Sequence, residues 1–447
     1  MVPIDARTAS VAPVQLPLAM RRLGILAGGG RLPLMIAESV VAHGGHVHIA
    51  GIRGAADPLI ERFPHTWVNL GQIGHIVATL TGEGRNELVI AGNVQRPDLW
   101  TIRPDAGFFM SLPQVFSLLA GGDDSVLSRV VRFFEAKGLT VRGAHEVAPD
   151  LLATPGQMGS VALSPQDRAD AELGFAVRAA LGPLDAGQAV AVADGRVLAI
   201  EGAEGTDAML ERVTALAVAE GVAVPRGVLT KGPKPGQELR VDMPAIGPRT
   251  IERAVAAHLT GVAVEAGAVL LLDREEAIRM ADAQGCAIEG LANAPPTVPD
   301  GAMPTASAGR VIGRLQPGPR DRIDIAKGLA AVARLAPFGT GSAVVVSRAY
   351  ILAFAAAEPV SNMLDRVRML RQWGMSRTRR AGVLVCRADV LVDGASAESL
   401  LEAAAGQRLA GVAVVGAADA LARYEVMAAP ADAHGLFLVT CRVGDER

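Results

Sequence analysis

Leu23-Gly24-Ile25-Leu26-Ala27-Gly28-Gly29-Gly30-Arg31-Leu32-Pro33 is the stretch that decides how the first third of the chain folds. Leu23 to Ala27 is short and has no polar side chain, which reads as a buried strand. Three glycines then turn the chain. Pro33 suits the first turn of a helix reaching about His43, where a missing N–H costs nothing. A second strand, His46 to Ile52, and a third, Glu87 to Val94, alternate with helical segments. Residues 23–150 are therefore expected to form an α/β, Rossmann-like domain on a parallel sheet.

Glycines between a strand and a helix let a phosphate approach backbone N–H groups and the helix dipole. Gly28, Gly29 and Gly30 are candidates for that contact. Gly92-Asn93-Val94 leaves the third strand at the carboxyl edge, where ligands gather in such sheets. A nicotinamide domain is disfavoured, because the third fingerprint glycine is missing and the second strand ends in Gly51-Ile52-Arg53 instead of an acid for ribose. Gly121-Gly122-Asp123-Asp124-Ser125 opens a helix to about Lys137, with Asp124 or Ser125 also suited to cap it.

With 447 residues the chain should hold two to four domains. Half of it is apolar, yet no run of about 20 residues lacks polar interruption, so no transmembrane helix is expected. Residues 1–22 carry Pro3, Pro13 and Pro17 without a basic start and apolar stretch, which reads as a disordered leader and not as a signal peptide. Cys286, Cys386 and Cys441 are few and far apart, which argues for a reducing cytoplasm and against a disulfide or zinc framework. A net charge of −3 with 3% aromatics gives no footprint for nucleic acid.

Residues 165–291 read as a second α/β unit. A helix from Asp167 to Leu181 leads to the strand Ala189–Val192, the tight turn Asp194-Gly195 and the return strand Val197–Ile200. That strand delivers Glu201-Gly202-Ala203-Glu204-Gly205-Thr206-Asp207 onto a helix, a plausible anion or ribose cradle or an ordinary capped helix start. Residues 292–318 are rich in Pro, Ala, Gly and Ser and read as a linker.

Residues 319–441 then repeat 165–291. Pro165 to Val213 aligns without gaps on Pro319 to Val367 at an offset of 154, with about 20 identities over 49 positions. Gly261-Val262-Ala263-Val264 meets Gly411-Val412-Ala413-Val414 at an offset of 150. The second copy keeps the apolar positions but not the polar loops. Glu201 to Asp207 has become Ala355 to Ser361, and Thr230-Lys231 aligns with Val385-Cys386.

The lost segment is Thr230-Lys231-Gly232-Pro233-Lys234-Pro235-Gly236-Gln237-Glu238-Leu239-Arg240-Val241-Asp242. Its prolines make a stiff loop carrying two ammonium groups and Gln237, which suits an anion with several oxygens. Leu239-Arg240-Val241 reads as a short extended piece ending at Asp242. Alone, such a turn reads first as a solvated surface loop with snorkelling lysines. Its loss from the degenerate copy marks it as a part the fold does not need. Asp393 is the nearest match to Asp242 in that copy.

Residues 23–291 resemble the LpxI family of UDP-2,3-diacylglucosamine diphosphatases, lipid A biosynthesis enzymes of Gram-negative bacteria. The resemblance rests on Ala27 to Pro33, Ala91 to Pro97, Gly122-Asp123-Asp124, Glu201 to Asp207, Thr230 to Gln237 and Arg240 to Pro244, about three fifths of the chain. It implies hydrolysis of the UDP-sugar diphosphate bond to 2,3-diacylglucosamine 1-phosphate and UMP, with Mg²⁺ and with water attacking the sugar-side phosphorus. Lys231 and Lys234 would clamp phosphate, and Asp242 would handle metal or water. Gly28, Gly29, Gly30, Gly92, Asn93, Val94, Asp123 and Asp124 would frame nucleotide or sugar. Gly202, Gly205, Thr206, Asp207 and Gln237 would hold uridine, ribose or phosphate. The expected setting is the cytoplasm with transient contact at the inner-membrane surface, and the chain is either a monomer with an internal pseudo-dimer or a homodimer. The alternatives are another nucleotide-sugar enzyme such as a transferase, or a non-catalytic nucleotide-sugar or lipid-binding protein.

Overall fold

The computed structural model describes residues 21–94, 123–292, 309–370, 380–390 and 397–442. The chain divides into two compact units, Met1–Leu151 with Glu238–Asp242, and Leu152–Gln237 with Met243–Arg447. In the first unit β1 (Arg22–Ala27), β2 (His46–Ile52), β3 (His65–Val68), β4 (Glu87–Ala91) and β5 (Thr140–Arg142) form a parallel sheet in the order β3-β2-β1-β4-β5. Helices α1 (Leu32–Ala42), α2 (Ile73–Thr81) and α3 (Asp123–Glu135) accompany it. The direction of winding reverses between β1 and β4, so the ligand-prone crevice of such a sheet lies beyond their carboxyl ends. Two residues expected in the leader belong here instead. Arg22 begins β1, and buried Arg21 pairs with Glu87 at 3.3 Å beside Arg142 at 2.9 Å. A carboxylate buried this deeply persists only with such partners.

The second unit holds two sheets of six strands. The first uses β6 (Gly156–Gln157), β7 (Ala189–Ala193), β8 (Arg196–Ile200), β9 (Val228–Lys231), β11 (Gly261–Glu265) and β13 (Ala287–Leu291), with β10 (Ala245–Ile246) and β12 (Leu270–Leu271) paired separately. The second uses β14 (Arg310–Ile312), β15 (Ala343–Ser347), β16 (Tyr350–Ala355), β17 (Val383–Arg387), β18 (Gly411–Gly416) and β19 (Phe437–Arg442). Their orders are β6-β13-β11-β9-β7-β8 and β14-β19-β18-β17-β15-β16, the same arrangement position for position. Helices α4 (Pro165–Leu181), α5 (Gly205–Glu220), α6 (Pro248–Ala256) and α7 (Arg274–Gln284) accompany the first sheet, and α8 (Pro319–Leu335) and α9 (Val360–Leu370) the second.

Small devices recur with the strands. The turn Asp194-Gly195 has φ of 52° and 73°, the left-handed pair that a two-residue hairpin needs, and Asp170 accepts from both N–H groups at 2.9 and 2.7 Å. In the second sheet Asp324 accepts from Arg348 and Ala349 at 3.0 and 2.6 Å. Ser160 donates its N–H to Asp282 at 2.7 Å, as Arg314 does to Asp432 at 2.9 Å. The stretch expected to be a linker, residues 292–318, therefore carries part of the repeat: Arg310–Ile312 pairs antiparallel with β19 as Gly156–Gln157 pairs with β13. Edge strands of two or three residues have too few positions to show a period, so the sequence reads them as linker.

The two sheets meet along β8 and β16. Ala203 N–H donates to Leu352 O at 3.0 Å, and Ala357 N–H donates to Leu198 O at 3.3 Å. Each bond is the other with the copies exchanged, as across a two-fold axis. Val177, Leu181 and Ile200 share one core with Leu329, Val332, Leu335 and Phe354. Each such side chain contributes roughly 1.5–3 kcal/mol when fully buried, so the junction is a core, not a loose contact.

Candidate functional site

β8 and β9 run parallel with β7 antiparallel between them, so both deliver their carboxyl ends to one edge of the sheet. Glu201 follows β8, and Lys231 ends β9. There Lys231 Nζ donates to Thr206 Oγ1 at 2.9 Å, and Thr206 Oγ1 donates to Glu201 Oε2 at 2.8 Å. Burial pushes the Glu201 carboxyl above its ordinary range, opposed by the Lys231 charge and the Thr206 hydrogen bond.

Arg178 of α4 braces the loop that follows Lys231. Its Nη2 donates to Pro233 O at 2.9 Å and its Nε to Gln188 O at 3.0 Å, with the guanidinium 5.2 Å from the Phe175 ring. Burial lowers its pKa to about 10, partly offset by the charges of Glu265 and Glu201. Glu265, at the end of β11 and 4.0 Å from Arg178, is raised by burial and lowered by that guanidinium. The sequence reading singled out neither Arg178 nor Glu265. The internal repeat carries a signal for both, since the offsets place Val332 and Val415 opposite them.

Lys234-Pro235-Gly236-Gln237 is a tight turn closed by Gln237 N–H to Lys234 O at 3.1 Å, with Gly236 at a φ of 80° that only glycine adopts cheaply. Gln237, expected to touch substrate, places its Oε1 on the Lys234 N–H at 2.9 Å. Lys234 Nζ pairs with Asp185 at 2.6 Å. Asp207, expected beside ribose, pairs with Arg249 of α6 at 2.8 Å. A Cβ on Gly202 would stand 2.5 Å from Leu352 O, so this glycine serves the approach of the second copy. Gly205 opens α5, one residue before Thr206.

Leu239-Arg240-Val241 is a turn and not an extended piece. Asp242 N–H reaches back to Glu238 O at 3.0 Å, and Arg240 grips Glu238 through two bonds of 2.8 and 2.7 Å. The Asp242–Glu238 backbone bond and the Arg240–Glu238 pair hold the chain in this turn, against the alternating pattern of the sequence. In the first unit, Arg240 also bonds Glu135 at 2.8 Å, and Val241 packs with Leu26, Leu88 and Phe134. Asp242 therefore rides on a segment anchored in the first unit's core.

The glycine turn after β1 is zipped to the end of β4. Gly28 N–H donates to Ala91 O at 2.8 Å, Gly29 N–H to Asn93 O at 2.7 Å, and Asn93 N–H to Gly29 O at 2.9 Å. Two of the three N–H groups expected to cradle phosphate are thus bonded within the sheet, leaving Gly30 (φ 90°), Gly92 and the exposed Asn93 and Val94 at its edge. The side chains of Asp123 and Asp124, and Asp393, lie outside the described residues.

The LpxI N-terminal domain model matches residues 22–151, and the LpxI C-terminal domain model matches residues 154–289. The UDP-2,3-diacylglucosamine pyrophosphatase LpxI of Caulobacter vibrioides is 43% identical over 274 residues, 61% of this chain and 98% of that protein. A solved murein peptide ligase of Psychrobacter arcticus is 12% identical over 94% of this chain and 90% of its own, with a TM-score of 0.19, a likeness too slight to carry an argument. Both domain models in order, with this identity along almost all of the Caulobacter protein, place the chain in the LpxI family, with residues 290–447 lying beyond the two matches.

Proposed function

We propose that this protein hydrolyses the diphosphate bond of UDP-2,3-diacylglucosamine to 2,3-diacylglucosamine 1-phosphate and UMP, a step of lipid A biosynthesis. The observation that carries this reading is the 43% identity to the Caulobacter pyrophosphatase across 98% of its length. Lys231 and Lys234 are the cations that would spread charge over the non-bridging oxygens, and Arg178 stiffens the loop bearing Lys234. Asp242 is the carboxylate that would orient water towards the sugar-side phosphorus.

Mg²⁺ fits this donor set in one way. Among the described residues no three His, Cys, Asp or Glu side chains gather to hold a metal ion, so a dedicated protein cage is not what the chain offers. Mg²⁺ commonly takes one or two carboxylates with substrate phosphates and waters, and Asp242 with the diphosphate supplies that combination. When bound it would neutralise charge developing on the phosphate oxygens.

Among the described residues no helix is long and apolar enough to cross a membrane, so a substrate with two acyl chains would be reached by surface contact, in our reading at the cytoplasmic face of the inner membrane. The test is incubation of the pure protein with UDP-2,3-diacylglucosamine and Mg²⁺ in ¹⁸O-water. Label in the sugar 1-phosphate is expected. Label in UMP would move the attack to the other phosphorus, and no turnover would refute the reading.

A further inference from the structure

Lys231 does not stand alone at the sheet edge. Its ammonium is bonded to Thr206, which is bonded to Glu201, and Glu201 is almost wholly buried. A buried carboxylate with a hydroxyl partner is a costly arrangement for a fold to keep. The second copy shows that the fold does not require it. There the three positions are Ala355, Val360 and Cys386, all apolar and buried.

Other positions in the same loop follow the opposite course. Ala203, Glu204 and Arg212 remain as Ala357, Glu358 and Arg366. Ala203, Ala357 and the Arg212–Glu358 pair at 3.2 Å cross the junction between the copies, while within each copy Arg212 bonds Ile200 O at 3.2 Å and Arg366 bonds Phe354 O at 2.6 Å. The end of β8 and the helix α5 thus keep their junction residues, while the bonded chain from Glu201 through Thr206 to Lys231 on β9 is lost together. Loss of a single polar residue could be drift. Loss of a bonded set, with its neighbours retained, separates what the fold uses from what the chemistry uses.

We propose that Glu201 is a positioning residue of the diphosphatase reaction: acting through Thr206, it fixes the Lys231 ammonium at the carboxyl edge of the sheet, where that ammonium meets a non-bridging oxygen of the diphosphate. The inference rests on the reaction proposed above. Glu201 Oε2 accepts from the Thr206 hydroxyl at 2.8 Å and so orders it as donor towards the carboxyl group. The hydroxyl oxygen then offers its lone pairs to Lys231, so the ammonium is held at that point of the sheet edge. Glu201 does not touch the substrate. Burial raises its pKa, so the native state releases its proton less readily than the unfolded chain.

The experiment uses the full chain with UDP-2,3-diacylglucosamine and Mg²⁺. Glu201→Ala and Glu201→Gln are compared with wild type in kcat, KM, the pH profile of kcat/KM, and melting temperature against pH. Both variants are expected to fold, because the second copy folds with alanine there. Glu201→Ala should lose roughly 10–100-fold in kcat/KM, the range for one charge-assisted contact. Glu201→Gln, which keeps an acceptor for Thr206, should recover part of that loss and should lack the acid limb that Glu201 gives wild type. Relative to wild type, Glu201→Gln should gain stability as pH rises above 4.5, since the cost of the buried charge appears only there. A folded Glu201→Ala with wild-type kcat/KM and an unchanged pH profile overturns the inference while leaving the reaction intact. Failure of both variants to fold overturns it as well, by making Glu201 structural. Wild type without turnover refutes the reaction itself, a separate outcome.

Discussion

The two copies in the second unit share a strand order, a hairpin turn held by an aspartate and a common junction, yet they present different carboxyl edges. The first has Lys231, braced by Thr206 and Glu201, and the loop that Arg178 holds. Where Arg178 and Glu265 stand in the first copy, the second has a hollow of about 290 Å³ lined by Leu329, Val332, Ala336 and Val415, with Arg387 and Asp389 also in its wall. Where the first copy has an ammonium, the second has Cys386, whose thiol burial pushes up to about 12. The difference teaches that strands and junction answer to packing, whereas the edge answers to chemistry. At the positions of Glu201, Thr206 and Lys231 the second copy has the apolar Ala355, Val360 and Cys386, and its strand order is unchanged.

The largest effect should come from removing one side of the comparison. Deleting residues 319–447 would uncover Val177, Leu181 and Ile200, which share a core with that copy. Self-association or aggregation is expected by light scattering, because an exposed apolar face of this kind seeks a new cover. A soluble, active monomer at micromolar concentration would mean that the second copy is not a stand-in for a partner subunit.

Next is Asp242→Asn, within the segment the second copy lacks. Turnover should fall on the order of 10²-fold or more with the melting temperature nearly unchanged, as for loss of one water- or metal-orienting group. Near wild-type rate at saturating Mg²⁺ would remove Asp242 from the mechanism.

Lys231→Ala and Lys234→Ala probe the charged edge directly. Each should lose about 1.5 kcal/mol of transition-state stabilisation in kcat/KM, the value of a charge-assisted hydrogen bond. If Lys234→Ala alone keeps wild-type kcat/KM, Lys234, which pairs with Asp185, is not part of the clamp, and the clamp narrows to Lys231.

The smallest effect concerns the turns. The first copy places Gly195 at a φ of 73°, whereas the second holds Ala349 at 62°. A Cβ is unfavourable there, so Ala349→Gly should stabilise the protein by up to about 1 kcal/mol in thermal or denaturant unfolding. No gain would mean that the larger backbone entropy glycine loses on folding cancels the relieved strain.

Much of this molecule was legible before any fold was drawn. The strand His46–Ile52 is found where its apolar run predicts it, and Asp194-Gly195 turns where such a pair must turn. The internal repeat is visible as an ungapped offset and reappears as matching hydrogen bonds. Glu201 was visible only as a polar residue beside a glycine. Its burial follows from where β8 ends relative to β9, across an intervening strand.

The sequence by itself determined what depends on near neighbours: strand and helix periods, turns that need a positive φ, and which copy had lost its polar loops. These are properties of a few consecutive residues, or of two stretches compared directly. Only the tertiary structure decided which side chains are partners: Lys231 with Thr206, Arg178 with Pro233, Asp207 with Arg249, and Arg240 with Glu135. Apart from the last, these pairs follow from the order of strands in the second unit's first sheet and the helices that cover it. That order is chosen by the burial of whole apolar faces, a sum over many distant residues that no local pattern contains.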